Sequence, residues 1–165
     1  MIFKFGKDGF QVNFVKMCIS YTATLALIAL LFTGCAQKAA LTFMSTNDLN
    51  NGGNPVVVRV YQLKSAGNFQ RATLDEFWQD DRAILGSDMV GDPVEVLLHP
   101  GETRNIKSMQ IDTDASHIGV AADFYSPEGD NWREIYQISD QKGLFKGFEI
   151  ALAVGNDRLL VREID

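Results

Sequence analysis

Short stretches in which apolar and polar residues alternate recur along most of the chain and predict β-strands. The clearest covers residues 56–63, where valines, a tyrosine and a leucine make both faces largely apolar, as in an inner strand of a sheet. Further candidates lie at residues 39–45, 94–98, 105–111, 118–125, 132–138, 148–154 and 159–164. About eight strands separated by turn-forming residues are typical of an antiparallel sandwich or barrel. Within residues 105–111, the row Lys107, Met109 and Ile111 is expected to face inward.

Residues 73–85 break this pattern, because their apolar side chains fall at helical spacing. The apolar positions are Leu74, Phe77, Trp78, Ile84 and Leu85. Thr73 and Glu76 are placed as a capping box at the start, and Gly86 is a plausible end. The pattern predicts one amphipathic helix, inside an insertion at about residues 67–86, that buries an aromatic stripe against a sheet.

Residues 46–55 contain four asparagines, two glycines and a proline, a dense signal for turns and loops. The stretch is too long for a two-residue hairpin turn, so we expect it to project as a polar loop that contributes little to folding. Leu49 is the apolar exception. Its side chain either packs back on the sandwich or inserts into a partner.

The N-terminus has the pattern of a secretory signal peptide. Residues 17–37 carry no charge, their apolar centre covers residues 25–32, and Lys4, Lys7 and Lys16 precede it. A retained transmembrane anchor is the alternative, since about 20 apolar residues can span a bilayer. The strongly apolar part is only eight residues long and ends at Thr33-Gly34-Cys35, which favours the signal peptide.

Residues 31–35 resemble the bacterial lipobox, in which small residues precede a cysteine that is lipidated. Thr33, Gly34 and Cys35 fit this motif, whereas Phe32 departs from the usual Leu, Val or Ile. We therefore predict a signal peptide over residues 1–34, a lipid on Cys35 and a lipid-anchored domain over residues 35–165; an unmodified thiol is the alternative. Ala36 favours the outer membrane, because an aspartate there often retains such lipoproteins in the inner membrane.

Composition excludes several classes of function. Residues 35–165 carry 12 Lys/Arg against 20 Asp/Glu, so this part of the chain lacks the excess of basic residues that nucleic-acid binding needs. With only two cysteines, Cys18 and Cys35, a disulfide scaffold or a cysteine zinc site is excluded. His99 and His117 have no second ligand at a useful spacing, so we predict no metal site.

The sequence also lacks the signs of an enzyme. It contains no Gly-x-Ser-x-Gly elbow and no phosphate-binding loop. The acidic pairs at residues 75–76 and 80–81 are interpreted as a solvated helix face. We therefore predict no catalytic residues, no cofactor apart from the covalent lipid, and a function in anchoring and binding.

The order of these features resembles the type VI secretion system outer-membrane lipoprotein family, TssJ, also called SciN or VasD. The most specific piece is the strand Val58-Arg59-Val60-Tyr61-Gln62-Leu63, followed by Phe69 and the helix; the segments 94–101 and 118–125 complete the order. The resemblance implies a mainly β, transthyretin-like sandwich of two antiparallel sheets with an added helix. It also implies a position on the periplasmic face of the outer membrane and binding to the periplasmic C-terminal region of the inner-membrane protein TssM.

The same resemblance implies that the loop between the first two strands contacts the partner. In this chain the loop residues are Asn47, Asp48, Leu49, Asn50, Asn51, Gly52, Gly53 and Asn54. A lipid-anchored small-ligand carrier or periplasmic chaperone is the alternative function. It would need a concave apolar pocket with convergent polar groups, which the strand pattern does not suggest, and no small-molecule substrate is predicted.

Overall fold

The computed structural model describes residues 37–138 and 147–164. The chain divides into two units between Cys35 and Ala36, and the described residues belong to the second. The predicted signal peptide, residues 1–34, and the predicted lipidation site at Cys35 lie outside the described residues.

Within the described residues, eight strands form two four-stranded sheets, which confirms the predicted β-sandwich. The strands are β1 (Lys38–Ser45), β2 (Val56–Leu63), β3 (Met89–Leu98), β4 (Thr103–Gln110), β5 (His117–Ala122), β6 (Arg133–Gln137), β7 (Phe148–Val154) and β8 (Leu159–Ile164). The first sheet has the order β4-β1-β7-β8 and the second has the order β3-β2-β5-β6. Neighbouring strands are antiparallel, as predicted, except that β1 and β7 run parallel.

The alternation of side chains builds the hydrophobic core. In β7, Phe148, Ile150, Leu152 and Val154 are buried while Glu149 is exposed, as the sequence predicts. The second strand, β2, has no exposed residue and lies between β3 and β5, which confirms that it is an inner strand.

The phase of alternation changes inside β4. Met109 and Ile111 are buried, as predicted, but Lys107 is exposed and Ile106 packs partly buried against the core. The cause is an irregularity in pairing with β1, where Ala39 lies opposite Met109 and Leu41 lies opposite Ile106. Three steps along β4 therefore match two steps along β1, and a bulge of this kind moves the inward side chains by one position.

The prediction of one helix over residues 73–85 is wrong, because the insertion forms three short helices. They are α1 (Gly67–Arg71), α2 (Leu74–Gln79) and α3 (Asp81–Leu85), followed by a 3₁₀ turn at Gly86–Asp88. Asp80 breaks the helix with φ −156° and ψ 77°, and its carboxylate accepts from the Ala83 amide at 2.9 Å as the N-cap of α3. The predicted cap of α2 is confirmed, since the Thr73 hydroxyl accepts from the Glu76 amide at 3.4 Å.

Asp81 is not part of a solvated face, which corrects the interpretation of residues 80–81. Its Oδ2 accepts from the Tyr61 hydroxyl at 2.6 Å and from Arg59 Nη1 at 3.1 Å. Burial of the phenol, with the hydrogen bond to Asp81, raises the pKa of Tyr61 far above its ordinary value. The phenol therefore remains a donor, and the bond ties α3 to β2.

An aromatic cluster fixes the helices on the second sheet. The ring of Phe77 lies 5.4 Å from Tyr61, 5.4 Å from Phe69 and 5.2 Å from Trp132, measured between centroids. Gly119 lies opposite Tyr61 in β5, and a Cβ there would come within 3.2 Å of the Phe69 ring. A bare backbone at this position lets α1 approach the sheet closely. None of the helices in residues 37–138 or 147–164 has the length and apolarity needed to span a membrane.

Candidate partner-binding site

Four connections gather at one end of the sandwich, which we call the loop end. They cover residues 46–55, 99–102, 123–132 and 155–158. The end is shared because β1, β3, β5 and β7 all finish there and the next strand in each case returns from it. The first of these connections is the β1–β2 loop that the resemblance assigns to partner binding.

The β1–β2 loop is built around a left-handed turn at Leu49–Gly53. Asn50, Asn51 and Gly52 have φ values of 46°, 60° and 91°. L-residues with a Cβ rarely adopt this region, and asparagine and glycine tolerate it best. The asparagine and glycine content that predicts a loop therefore also encodes a defined backbone.

The expectation that this loop projects as a polar segment is wrong for its centre. The Leu49 side chain is fully buried and belongs to the hydrophobic core, so it packs back on the sandwich. Asn50 is 1% exposed and hydrogen-bonded: its Nδ2 donates to the Pro55 carbonyl at 2.8 Å, and its Oδ1 accepts from the Tyr125 amide at 2.9 Å. Neither side chain can reach a partner in this conformation.

Hydrogen bonds join the β1–β2 loop to two further connections of the loop end. The Asn51 amide donates to the Asn156 carbonyl at 2.9 Å, and the Gly52 amide donates to the Asn156 side chain at 3.0 Å. From the β3–β4 turn, the Gly101 amide donates to the Thr46 carbonyl at 3.1 Å. With the bond to Tyr125, these contacts bind the loop end into one surface.

Four of the eight predicted contact residues remain accessible. Asn47, Asp48, Asn51 and Gly52 are exposed. Gly53 and Asn54 are half-buried, and the Asn54 side chain donates to the Asn50 carbonyl at 3.1 Å, so it supports the turn from within. The accessible part of the loop therefore presents polar backbone groups, the side-chain amides of two asparagines and the carboxylate of Asp48.

Electrostatically the loop end is acidic. The His99 backbone amide and the Arg104 guanidinium hold the pKa of Glu102 below its usual range, and Arg158 does the same for Asp157. Desolvation of the partly buried carboxyl raises the pKa of Asp123. A surface of this kind favours partners with positive charge.

The described residues contain no candidate metal cluster, and a cleft lies away from the loop end. Residues 37–138 and 147–164 contain no cluster of His, Cys, Asp or Glu that could hold a metal ion. A cleft of about 380 Å³ lies near the opposite end, where Gln62, Asp92, Gln110 and Asp112 contribute polar groups to its wall. Val90 and Ile111 also line it, so its wall is mixed rather than predominantly apolar, unlike a typical small-ligand site.

Comparison with known proteins identifies the family. A family model described as type VI secretion lipoprotein, VasD, EvfM, TssJ matches residues 37–157, a span that includes the whole β1–β2 loop. The chain belongs to the type VI secretion lipoprotein family. This family is a structural component of the secretion system rather than an enzyme family. No curated protein shows significant similarity to the sequence.

Solved structures share the fold of this type VI secretion lipoprotein. The T6SS lipoprotein TssJ1 from Pseudomonas aeruginosa is 21% identical with a TM-score of 0.70, over 79% of this chain and 98% of that one. Lip from Serratia marcescens, described as a membrane-bound component of the type VI secretion system, is 22% identical with a TM-score of 0.67, over 79% and 100% of the two chains. A chain from the structure described as the T6SS protein TssM C-terminal domain from EAEC is 24% identical with a TM-score of 0.63, over 78% and 99%.

The sequence predicts the β1–β2 loop but not the distant residues that support its backbone. The supporting residues Tyr125 and Asn156 lie 75 and 104 positions away from their partners Asn50 and Gly52. Both lie in or beside segments rich in turn-forming residues, so the sequence predicts that those segments are loops. Nothing in the sequence indicates that they contact the β1–β2 loop.

Proposed function

We propose that this protein is an outer-membrane lipoprotein of a type VI secretion system, anchored by a lipid on Cys35 after removal of residues 1–34. Its loop end binds the periplasmic C-terminal region of a TssM-like inner-membrane protein. Membership of the secretion lipoprotein family and the motif Thr33-Gly34-Cys35 support the anchor. The presence of a chain with this fold in the structure described by the TssM C-terminal domain supports the partner.

The observation that carries the proposal is the direction of β1. This strand begins at Lys38, three residues after the proposed lipidation site, and ends at Ser45, where the β1–β2 loop starts. Seven steps of about 3.3 Å separate the first and last of these eight residues by about 23 Å. An anchor at Cys35 therefore leaves the loop end on the far side of the domain from the membrane, available to a protein that arrives from the inner membrane.

Substituting the anchor cysteine tests the localisation. We expect Cys35→Ser to abolish lipidation and to move the protein from the outer-membrane fraction to the soluble periplasmic fraction, because stable anchoring needs the acyl chains. Cys18→Ser is the matched control, since it lies inside the predicted signal peptide and should leave the mature protein unchanged. Mass spectrometry of the mature N-terminus reads the modification. An unmodified Cys35 in the wild-type protein contradicts the proposal.

Reversing the accessible charge of the β1–β2 loop tests the partner site. Asp48 is exposed, so we expect Asp48→Arg to weaken binding to the purified TssM periplasmic region at least tenfold while the melting temperature changes little. Glu149→Arg makes the same change of charge at an exposed position near the opposite end and should bind normally. Calorimetry gives both dissociation constants. Equal affinity of the two variants would place the contact surface elsewhere.

A further inference from the structure

Exposed large hydrophobic side chains are concentrated at the loop end. In the described part of the chain they are Met44, Val94, Leu97, Tyr125 and Leu160. Met44 and Leu97 are the second-last residues of β1 and β3, Leu160 is the second of β8, and Tyr125 lies in the β5–β6 connection, so four of the five surround this end. Met44 and Leu160 belong to the first sheet and Leu97 to the second, so Tyr125 is the one of the four that lies on a connection between strands. Exposed apolar side chains among polar residues are typical of protein interfaces.

Tyr125 stands out within this group because the residue is 71% exposed although its backbone is held by a hydrogen bond. Its neighbour Phe124 is buried, and its own amide donates to the buried Asn50 side chain at 2.9 Å. A tyrosine on an ordered backbone loses little conformational entropy when its ring is buried by a partner, and tyrosine is enriched among residues that dominate binding energy. The same hydrogen bond fixes the position of Tyr125 relative to the β1–β2 loop.

The charged residues around Tyr125 indicate the charge of the surface that binds there. Residues 46–55, 99–104, 123–133 and 155–158 contain six carboxylates and three arginines. Each arginine is already paired, Arg104 with Glu102, Arg133 with Asp130, and Arg158 with Glu128 and Asp157. Asp48 and Asp123 have no ion-pair partner within 4.0 Å among the described residues. An anionic lipid surface would be repelled by this excess of negative charge, whereas a basic protein surface would be attracted.

We propose that Tyr125 is the aromatic anchor of the partner interface, and that Asn50 unites it with the β1–β2 loop in a single binding surface. The inference rests on the proposed function and names the chemistry of the partner. The matching surface on the TssM-like protein is an apolar recess that receives the Tyr125 ring, bordered by lysine or arginine side chains that face Asp48 and Asp123. The β5–β6 connection is therefore a second binding element beside the β1–β2 loop.

Titration of detergent-solubilised full-length variants against the purified TssM periplasmic region tests this assignment. We expect Tyr125→Ala to raise the dissociation constant at least tenfold with an unchanged melting temperature, and Tyr125→Phe to retain most of the affinity because it keeps the ring. Val94→Ala is the matched control, since Val94 is exposed but lies in the middle of β3 away from the loop end, and it should bind like the wild type. Raising the salt concentration should weaken wild-type binding through the acidic rim.

The outcomes separate this inference from the proposed function. If the wild-type protein binds and Tyr125→Ala binds equally well, the anchor role of Tyr125 is overturned while the function stands. If the wild-type protein does not bind the TssM region at all, both are overturned. A Tyr125→Ala variant that loses only association with lipid vesicles, or only self-association, would assign the ring to a membrane or to a second copy and would equally overturn the inference.

Discussion

Truncation of Phe77 to alanine should lower the free energy of unfolding by about 3–5 kcal/mol, the usual cost of removing a fully buried aromatic ring from a packed core. The ring is completely buried and has three aromatic neighbours, Tyr61, Phe69 and Trp132, within 5.4 Å between centroids. These neighbours come from β2, α1 and the segment before β6, so the cavity cannot close by moving one element alone. Urea denaturation of wild type and variant measures the difference.

Trp78→Ala is the informative comparison, because the two residues are adjacent in α2 but differ in burial. Trp78 is only half-buried, with its ring 6.1 Å from Phe77 and the guanidinium of Arg59 4.8 Å above it. Its Nε1 is buried and has no hydrogen-bond partner among the described residues, a cost that the substitution removes. We expect a loss of about 1–2 kcal/mol. A loss at Trp78 as large as that at Phe77 would mean that both residues contribute equally to holding the helices on the sheet.

The strands were predictable because their pattern is local. Residues 56–63 contain four valines and a tyrosine, and β2 covers those same residues, since β-branched and aromatic side chains favour the strand in a sheet that buries them. The direction of pairing was not predictable, because alternation is identical in parallel and antiparallel strands. The parallel pairing of β1 with β7 depends on how the chain crosses between the two sheets.

The helical insertion shows where local patterns mislead. Apolar residues fall at helical spacing on both sides of Asp80 and Asp81, with Asp81 as the one polar interruption of the stripe, so the sequence predicts one helix. The carboxylate of Asp80 instead caps a new helix, and Asp81 accepts hydrogen bonds from Tyr61 and Arg59 of β2. Aspartate competes with helical hydrogen bonding through its own side chain, which explains the break after the fact. The partners in β2 are 20 and 22 positions away, and no local pattern identifies them.

Leu49→Ala should lower the free energy of unfolding by about 2–5 kcal/mol, although Leu49 lies in a segment whose composition predicts a loop. Its side chain is fully buried in the hydrophobic core, and the left-handed turn that follows it is fixed by bonds to Tyr125 and Asn156. Replacing residues 48–51 with a Gly/Ser stretch should destabilise the protein as well, contrary to the expectation from sequence that this loop contributes little to folding. The change in the entropy of loop closure is small, so the loss of the buried Leu49 side chain determines the change in stability.

Asp48→Ala is the control, because Asp48 precedes Leu49 directly and is exposed, so its loss should change stability by no more than about 0.5 kcal/mol. Urea denaturation measures the free energy of unfolding of Leu49→Ala and Asp48→Ala. Equal stability of the two variants would show that Leu49 does not belong to the core.

Partner binding by the Leu49→Ala variant is expected to differ from binding by Asp48→Arg. Because Leu49 is buried, the proposed interface predicts that any loss of affinity for the TssM region comes from displacement of Asp48, Asn51 and Tyr125. Under conditions in which the Leu49→Ala variant remains folded, its affinity should therefore recover as stabilising solutes restore the native packing. The affinity of Asp48→Arg should not recover, because that substitution changes the contact surface itself.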